Sequence, residues 1–438
     1  MSRRRIRAWT NWSGTVHCEP SYCAHPVNVE EVQSEVVRAA EEGERLRVVG
    51  SGHSFSPLCW TDDNHMSLDR FTGIESADHE RRCVWVRAGT RLDQLAEALA
   101  DRGLALENAP DFDQQTIGGA LATGTHGTGL AFGNLATMVT ALRLVCADGS
   151  VQTISEQQGP DLFHAAVVSL GALGVITHVE LQCVEDYRLE VRSQAATLGE
   201  TLTRLDALRR EHRNLEFFWF PYTDSVVLRY ADITHEVPRP LSPLQRAVRC
   251  TTDGLLFRGM AQAARRTPMM AERFGRIATR VLSDRRDVLR AQDAYAVKRR
   301  NRFQQLEFSL PLARVAPVLR TLDRLIKALS FRIHFPIEVR FVAADENWLS
   351  PQYQRDSACI AVAAYPEMDF ESYFAPISEL MQRNDGRPHW GMRHDLGAPE
   401  LRELYPRFDD FLELRRQCDP RGLFLNPHLA RIFGEPLR

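Results

Sequence analysis

Lysine is almost missing from this chain. Lys298 and Lys327 are the only two among 54 basic side chains, the rest being arginine, so a mechanism built on an ammonium group has two candidates. No run of about 18 apolar residues occurs, and no helical membrane span is expected. The basic start Ser2-Arg3-Arg4-Arg5 is not followed by an apolar segment, so no secretory signal is expected either. Charge of one sign is not in excess. The formal net charge is −3, too small to draw the chain to nucleic acid or to an anionic membrane. The nine cysteines form no C-x-x-C pair and show no zinc-ligand spacing, so no metal site is expected. Scattered thiols in odd number fit reduced, buried cysteines of a cytoplasmic protein. Internal repeats and low-complexity segments are also missing.

What is present is ordinary globular composition, 44% hydrophobic and 25% charged over 438 residues, which suits two domains. The first half alternates strands with helices. Asn28 can cap a helix over 29–42 whose apolar side is Val29, Val32, Val36 and Ala40. A strand follows over 45–49, another over 83–87, a helix over 91–102 with Gly103 beyond it, and a helix over 161–170. Asp148-Gly149 between 142–147 and 151–154 reads as a two-residue hairpin turn. A strand returns over 175–184. After about residue 185 the texture changes. Aromatics cluster at Phe217-Phe218-Trp219-Phe220, and an arginine-rich stretch from about 244 to 300 reads as helical. Strands are expected at 305–310, 337–343 and 358–364, and helices at about 313–329, 370–384 and 399–417. The end, from Asp419 to Pro427, is rich in turns.

Two glycine-rich loops carry the chemical signal. The first is Val49-Gly50-Ser51-Gly52-His53-Ser54, placed directly after a strand. Small residues there let backbone N–H groups turn inward around an anion. It has neither dinucleotide-fingerprint spacing nor a lysine, so backbone donors alone would hold a pyrophosphate. The second runs from Gly118 to Gly129, with five glycines, three threonines and two alanines in twelve residues. Such residues fill no core but allow close backbone approach to a flat, phosphate-bearing ligand. His53 at the tip of the first loop is open to two readings. It is either a loop histidine with an ordinary hydrogen-bond partner, or an imidazole bonded covalently to a cofactor, since its neutral form is nucleophilic near pH 7.

Four runs resemble the FAD-linked oxidases of the vanillyl-alcohol-oxidase type: Arg45–Leu58, Gln114–Gly129, Gly171–Thr177 and Asp419–Leu429. Within that group they are most similar to the branch of sugar-1,4-lactone and alditol oxidases. The resemblance implies an α+β fold. A two-subdomain FAD-binding domain of the PCMH type spans about 1–185 and is completed by 415–438. A substrate or cap domain over 186–414 has a large antiparallel sheet flanked by helices. It implies that the loop Val49–Ser54 holds the pyrophosphate and that His53 carries the bond to the flavin 8α-methyl. It also implies that 116–129 lines the cofactor through Thr116, Gly119, Gly124, Thr128 and Gly129, and that the backbone at Val175-Ile176 meets it. No cysteine stands in 116–129, so at most one covalent link is expected.

On the strand 337–341, period two puts Glu338 and Arg340 on one face and Ile337, Val339 and Phe341 on the other. Taken alone the pair reads as a solvent-facing ion pair. The resemblance implies instead a carboxylate and guanidinium in the substrate cavity over the flavin, with Thr116 adding a hydroxyl and His389 lying near the flavin edge. The run Arg387–His394 departs from the family, because Met392 stands where relatives carry a lysine beside the flavin. The expected activity is oxidation of a polyol, sugar lactone or related sugar-like alcohol, with hydride passing to covalently held FAD and dioxygen reduced to hydrogen peroxide. Met392 suggests a specialised substrate. A dehydrogenase with another electron acceptor, or a catalytically altered flavoprotein, stays open.

Overall fold

The computed structural model describes residues 2–4, 8–238, 271–295, 302–329, 335–365 and 368–437. The first helix, Val29–Glu42, starts at Asn28, whose side chain accepts a hydrogen bond from the Glu31 N–H, and it stops at Gly43 in the left-handed region. It buries Val32, Val36, Ala39 and Ala40. Four short strands, Ser2–Arg4, Tyr22–His25, Asn64–Ser67 and Leu46–Val49, form one mixed sheet in that order. Five more, Val151–Ser155, Val139–Val145, Val175–Gln182, Cys83–Arg87 and Ile74–Asp78, form an antiparallel sheet. The helices Leu92–Ala100, Ile117–Ala122 and Pro160–Ala166 belong to this half.

From Arg188 onward the strands join a different sheet, of eight antiparallel strands. Its order is Arg285–Arg290, Arg188–Thr197, Ser225–Ile233, Asn214–Trp219, Ile337–Val342, Ser357–Ala364, Gln304–Pro311 and Arg387–Pro388. The central strands are buried along almost their whole length. Helices Leu198–Glu211, Val315–Ala328 and Glu371–Gln382 flank it. Among the described residues eight cysteines are free thiols, and no described helix is long and apolar enough to cross a membrane.

Three local expectations change. The arginine-rich stretch lies outside the described residues over 244–270 and 296–300. Within the rest, Ala271–Leu282 is helical, but Asp284 takes a left-handed φ of 58° and Arg285–Arg290 then pairs as an edge strand with Arg188–Ser193. The helix expected over 399–417 is two helices, Ala398–Leu404 and Phe408–Cys418. Pro406 has no N–H to give and forbids helical backbone at Tyr405. The turn at Asp148-Gly149 is one residue longer than a two-residue hairpin. Cys146 N–H donates to the Ser150 carbonyl at 2.9 Å, with Gly149 at φ 82°.

The C-terminal run is sewn to the first glycine loop by polar groups. Asn426 donates to the carbonyls of Pro57, Leu58 and Trp60 at 3.0, 3.1 and 2.8 Å. Arg47, 3% exposed, donates to the carbonyls of Leu58 and Leu170 at 3.0 and 2.8 Å and to that of Phe424. Burial pulls this guanidinium down to about 10, against the pull of Cys59 and Asp419. Its charge is spread over carbonyl dipoles, and each charged hydrogen bond is worth about 1.5–3 kcal/mol. Arg47→Met is therefore expected to cost at least ~3 kcal/mol, read as a lower urea midpoint at constant m-value. A midpoint within error of the parent would show that these contacts do not hold the C-terminal run in place.

Candidate active site

A cleft of about 350 Å³ opens between the two smaller sheets. Along one side it is lined by Val49, Gly50, Ser51, Gly52, His53 and Ser54, and along the other by Thr116, Gly118, Gly119 and Thr123. The two loops touch where glycine leaves no side chain: a Cβ on Gly50 would stand 2.3 Å from the Thr116 hydroxyl oxygen. Thr116 begins the helix Ile117–Ala122, its Oγ1 accepting from the Gly119 N–H at 3.4 Å. Gly52 needs its left-handed φ of 67°, with Trp9 packed where a side chain would go.

The cleft runs into a second cavity of about 70 Å³, and His53, Gln115, Thr125, His389 and Met392 line both. His53 thus stands at the junction. Its ring meets Phe112 edge-on at 4.5 Å and Trp12 at 5.6 Å. Its buried Nδ1 has no hydrogen-bond partner, and burial pulls the ring down to about 4, so it is neutral at pH 7. Of the two readings of this residue, an ordinarily bonded loop histidine does not describe that nitrogen.

The second cavity combines aromatic and charged walls: Trp12, Phe55, Phe112 and Phe303 with Asp111, His126, Glu307, Arg340 and His389. Strand pairing sets Arg340 opposite Glu216. The guanidinium reaches Asp111 at 2.8 Å and Glu216 at 2.9 Å, and also bonds Glu338. Burial by itself would depress the guanidinium, but Asp111, Glu338 and Glu216 hold its pKa well above the ordinary value. On the remaining wall, His126 Nε2 lies 2.7 Å from Glu307 Oε1, and its Nδ1 lies 2.9 Å from the Gly127 carbonyl. His389 sits 5.7 Å away, ring to ring. Burial lowers His389 to about 4.

The structure divides the residues expected in the site. Val49, Gly50, Ser51, Gly52, His53, Ser54, Thr116, Gly119 and Ile176 line the cleft. Val175, fully buried, does not. Gly124, Thr128 and Gly129 lie outside the cleft lining, the last two against the large sheet. Gly124 packs on Pro351; Thr128 donates to the Leu215 carbonyl and accepts from the Phe341 N–H; Gly129 N–H donates to the Phe341 carbonyl at 2.8 Å. Glu338 and Arg340 do turn away from solvent, both 8% exposed. Only Arg340 lines the cavity, and Glu338 acts on it through the guanidinium. Met392 lies at the junction beside His53 and His389. Sequence reading missed Asp111, His126 and Glu307. For Glu307 one signal existed: a carboxylate inside the otherwise uncharged strand Gln304–Pro311.

Buried neutral histidines give the protein a pH dependence. Burial lowers His65 to about 4, with Nε2 bonded to the Cys59 carbonyl at 2.7 Å and Nδ1 bare. His394 and His428 are lowered likewise, His428 to about 3. Between pH 6.5 and 4 the unfolded chain binds protons that these rings refuse, so stability is full above 6.5 and falls as pH drops through that window. His65 alone contributes about 3 kcal/mol of that fall. Asp345, raised to about 6 by burial, opposes it, but the histidines outnumber it. The urea midpoint is expected to drop between pH 7 and 5, with a smaller drop in His65→Gln. Equal drops in parent and variant would defeat this.

Comparison with known proteins gives the same picture. A family model described as FAD binding domain matches residues 20–155, and one described as D-arabinono-1,4-lactone oxidase matches residues 179–432. The chain is 40% identical to L-gulono-1,4-lactone dehydrogenase of Mycobacterium tuberculosis (strain H37Rv), over 97% of this chain and 99% of that one. It is 34% identical to L-gulonolactone oxidase of Scyliorhinus torazame, over 97% of each, and 32% identical to that of Mus musculus, again over 97% of each. Among solved structures, cholesterol oxidase from B. sterolicum superposes with a TM-score of 0.83 over 98% of this chain and 96% of that one, at 18% identity, a likeness of fold. The chain belongs to the D-arabinono-1,4-lactone oxidase family and is a flavoprotein oxidoreductase with the α+β, PCMH-type FAD fold. The cleft fits FAD: two bare-backbone loops face each other across it, and a neutral imidazole with an unpartnered nitrogen stands at its inner end.

Proposed function

We propose that this member of the family oxidises a secondary hydroxyl of a sugar-1,4-lactone or a closely related polyol, with FAD held covalently through His53. The observation that carries the reading is the placement of His53. Its ring, with a buried and unpartnered Nδ1, lines the junction between a cofactor-sized cleft and a small cavity whose walls suit a sugar. Sugars bind to aromatic faces edged by charged hydrogen-bonding groups, and Trp12, Phe112, Asp111 and Arg340 supply both. Bound FAD supplies the acceptor for the two electrons and the carbon-bound hydrogen of the substrate.

The chain's own groups do the rest. Arg340 donates to substrate oxygens, with Glu216, Glu338 and Asp111 fixing its plane. Asp111 faces the same cavity as a carboxylate and accepts from a substrate hydroxyl. His389 Nδ1 accepts the Gly391 N–H at 3.1 Å, so the proton of its neutral ring resides on Nε2, and it acts as a donor. The loops Val49–Ser54 and Thr116–Thr123 bind the dinucleotide through backbone N–H groups. Met392 brings no charge to the junction, and with it we associate a specialised substrate within that class.

Dioxygen is the proposed final acceptor, reduced to hydrogen peroxide. The M. tuberculosis relative's description as a dehydrogenase favours a second reading, in which another acceptor takes the electrons. An anaerobic panel of aldono-1,4-lactones and alditols tests the substrate class: at least one lactone should bleach the flavin absorbance. If no member bleaches it, the reading fails. Peroxide yield in air, set against dye reduction, then separates the two acceptors.

A further inference from the structure

Among the described residues no ammonium group lines either cavity. Lys327 pairs with Asp323 at 2.7 Å on an exposed helix face. Arg340 is one cation on the wall of the small cavity, and three carboxylates surround it. Beside it the cavity is lined by His126 and Glu307, which come from segments 181 residues apart in sequence. The side chains of both are almost wholly buried, 3% and 4% exposed.

The hydrogen-bond partners assign the protons of His126. The Gly127 carbonyl can only accept, so Nδ1 carries a hydrogen. Glu307 lies against Nε2 at 2.7 Å, and the neighbouring Arg340 favours its ionised form, so Nε2 carries a hydrogen too. Direction of titration agrees. Burial alone would lower His126, but Cys359 and Glu307 raise it well above the ordinary value. Burial alone would raise Glu307, but His126 brings it down to about 2. His389 shows the contrary state. His126, Glu307 and His389 bring one ring or carboxylate atom each to within 4.8 Å of one another, and the backbone carbonyl of Glu307 also accepts the His389 N–H at 3.0 Å.

We infer that His126 is a permanently charged imidazolium, and that the His126–Glu307 pair is a positioning unit that orients the buried, neutral His389 as a donor at the junction with the cofactor cleft. Both nitrogens of His126 are used by Glu307 and Gly127, so it offers the substrate no hydrogen bond. Burial keeps His389 neutral, and the Glu307 carboxylate by itself would draw a proton to it; the His126 charge offsets that pull and fixes Glu307, whose backbone carbonyl holds the His389 N–H. Two imidazoles 5.7 Å apart are thereby split into one charged and one neutral ring. The groups facing His126 are Glu307, Cys359 and His389, with Arg340 next beyond Glu307.

The kinetic arm of the test rests on the lactone reading; the spectroscopic arm does not. In nitrogen-15 spectra of the holoenzyme, His126 should remain protonated on both nitrogens at pH 8, and in Glu307→Gln it should keep the proton on Nδ1 alone. With a lactone that the enzyme oxidises as substrate, Glu307→Gln should lower kcat roughly 10- to 100-fold, with a smaller change in KM. Its kcat should also gain a dependence on pH between 6 and 8 that the parent lacks. His126→Gln should cost a similar factor, and the double variant should be no worse than either single one. A singly protonated His126 at pH 8 in the parent overturns the charge assignment, whatever the substrate. Unchanged kcat and pH profile in Glu307→Gln, or losses that multiply in the double variant, overturn the positioning role.

Discussion

His53→Ala is expected to release all of its flavin on acid denaturation, while the parent keeps a yellow, fluorescent polypeptide. The proposed attachment rests on an imidazole whose Nδ1 makes no hydrogen bond. It follows the strand Leu46–Val49 by only a few residues, and the left-handed Gly52 directs the chain into the cleft. Phe112 and Trp12 fix the ring. Burial keeps it neutral, and its Nδ1 is spent on no other partner. A neutral ring nitrogen is the form that makes a carbon–nitrogen bond. His126 and His389 also lie near the junction, but Gly127 and Glu307 occupy the nitrogens of the first, and the Gly391 N–H occupies Nδ1 of the second. A peptide map of the parent should therefore place the flavin mass on the peptide containing His53. Flavin that stays bound to the denatured variant would show another anchor, and a colourless denatured parent would show that no covalent bond forms. The variant should still bind FAD non-covalently, because the backbone cradle of Gly50, Gly118 and Gly119 is untouched.

The contrast between what was legible in the sequence and what was not has a physical cause. Local rules were sufficient where one segment carries the whole signal. The Asn28 cap, the loop after Leu46–Val49 and the shared face of Glu338 and Arg340 each follow from spacing within a few residues, whereas the inward turn of that face comes from the family resemblance. Glycine-rich composition said only that a backbone is approached closely, not by what. Gly119 approaches a cleft, whereas Gly129 approaches the strand Ile337–Val342. Both uses need the same small residues, so composition alone reads the second loop as cofactor-binding over its full length. The ion pairs of the cavity were out of reach for another reason. Arg340 joins Glu216 across 124 residues, and His126 joins Glu307 across 181. Such pairs exist only once sheet register is set, as when Glu216 comes opposite Arg340. Glu338 shows the limit of period two. Parity gives the face, but the longer arginine side chain takes the cavity and leaves the glutamate behind it.

Arg340→Met should be the most damaging single change in the molecule, and a second substitution separates its two effects. Removing the guanidinium leaves Asp111, Glu216 and Glu338 around an apolar side chain in a site where Arg340 was 8% exposed. Stranding buried carboxylates costs about 3–5 kcal/mol, enough to lower the thermal midpoint by roughly 3–5 °C in a chain of this size. The same variant removes the main donor to substrate oxygens and should lower kcat/KM by about 10³-fold or more. Adding Asp111→Asn relieves one unpaired charge, so it should recover part of the lost stability and none of the lost activity. Arg340→Lys makes the complementary test. It keeps a positive charge among the three carboxylates but loses the planar fork that meets Glu216 through Nε and both Asp111 and Glu338 through one terminal nitrogen. It should fold nearly as well as the parent while kcat/KM falls about 10- to 100-fold. If Arg340→Lys instead equals the parent in activity, a point charge is all the site requires, and the fork held by its carboxylates does not orient the substrate. If Arg340→Met keeps its stability, the carboxylates have found protons or solvent, and Arg340 is not the centre of the network that joins the Asp111 loop to the large sheet.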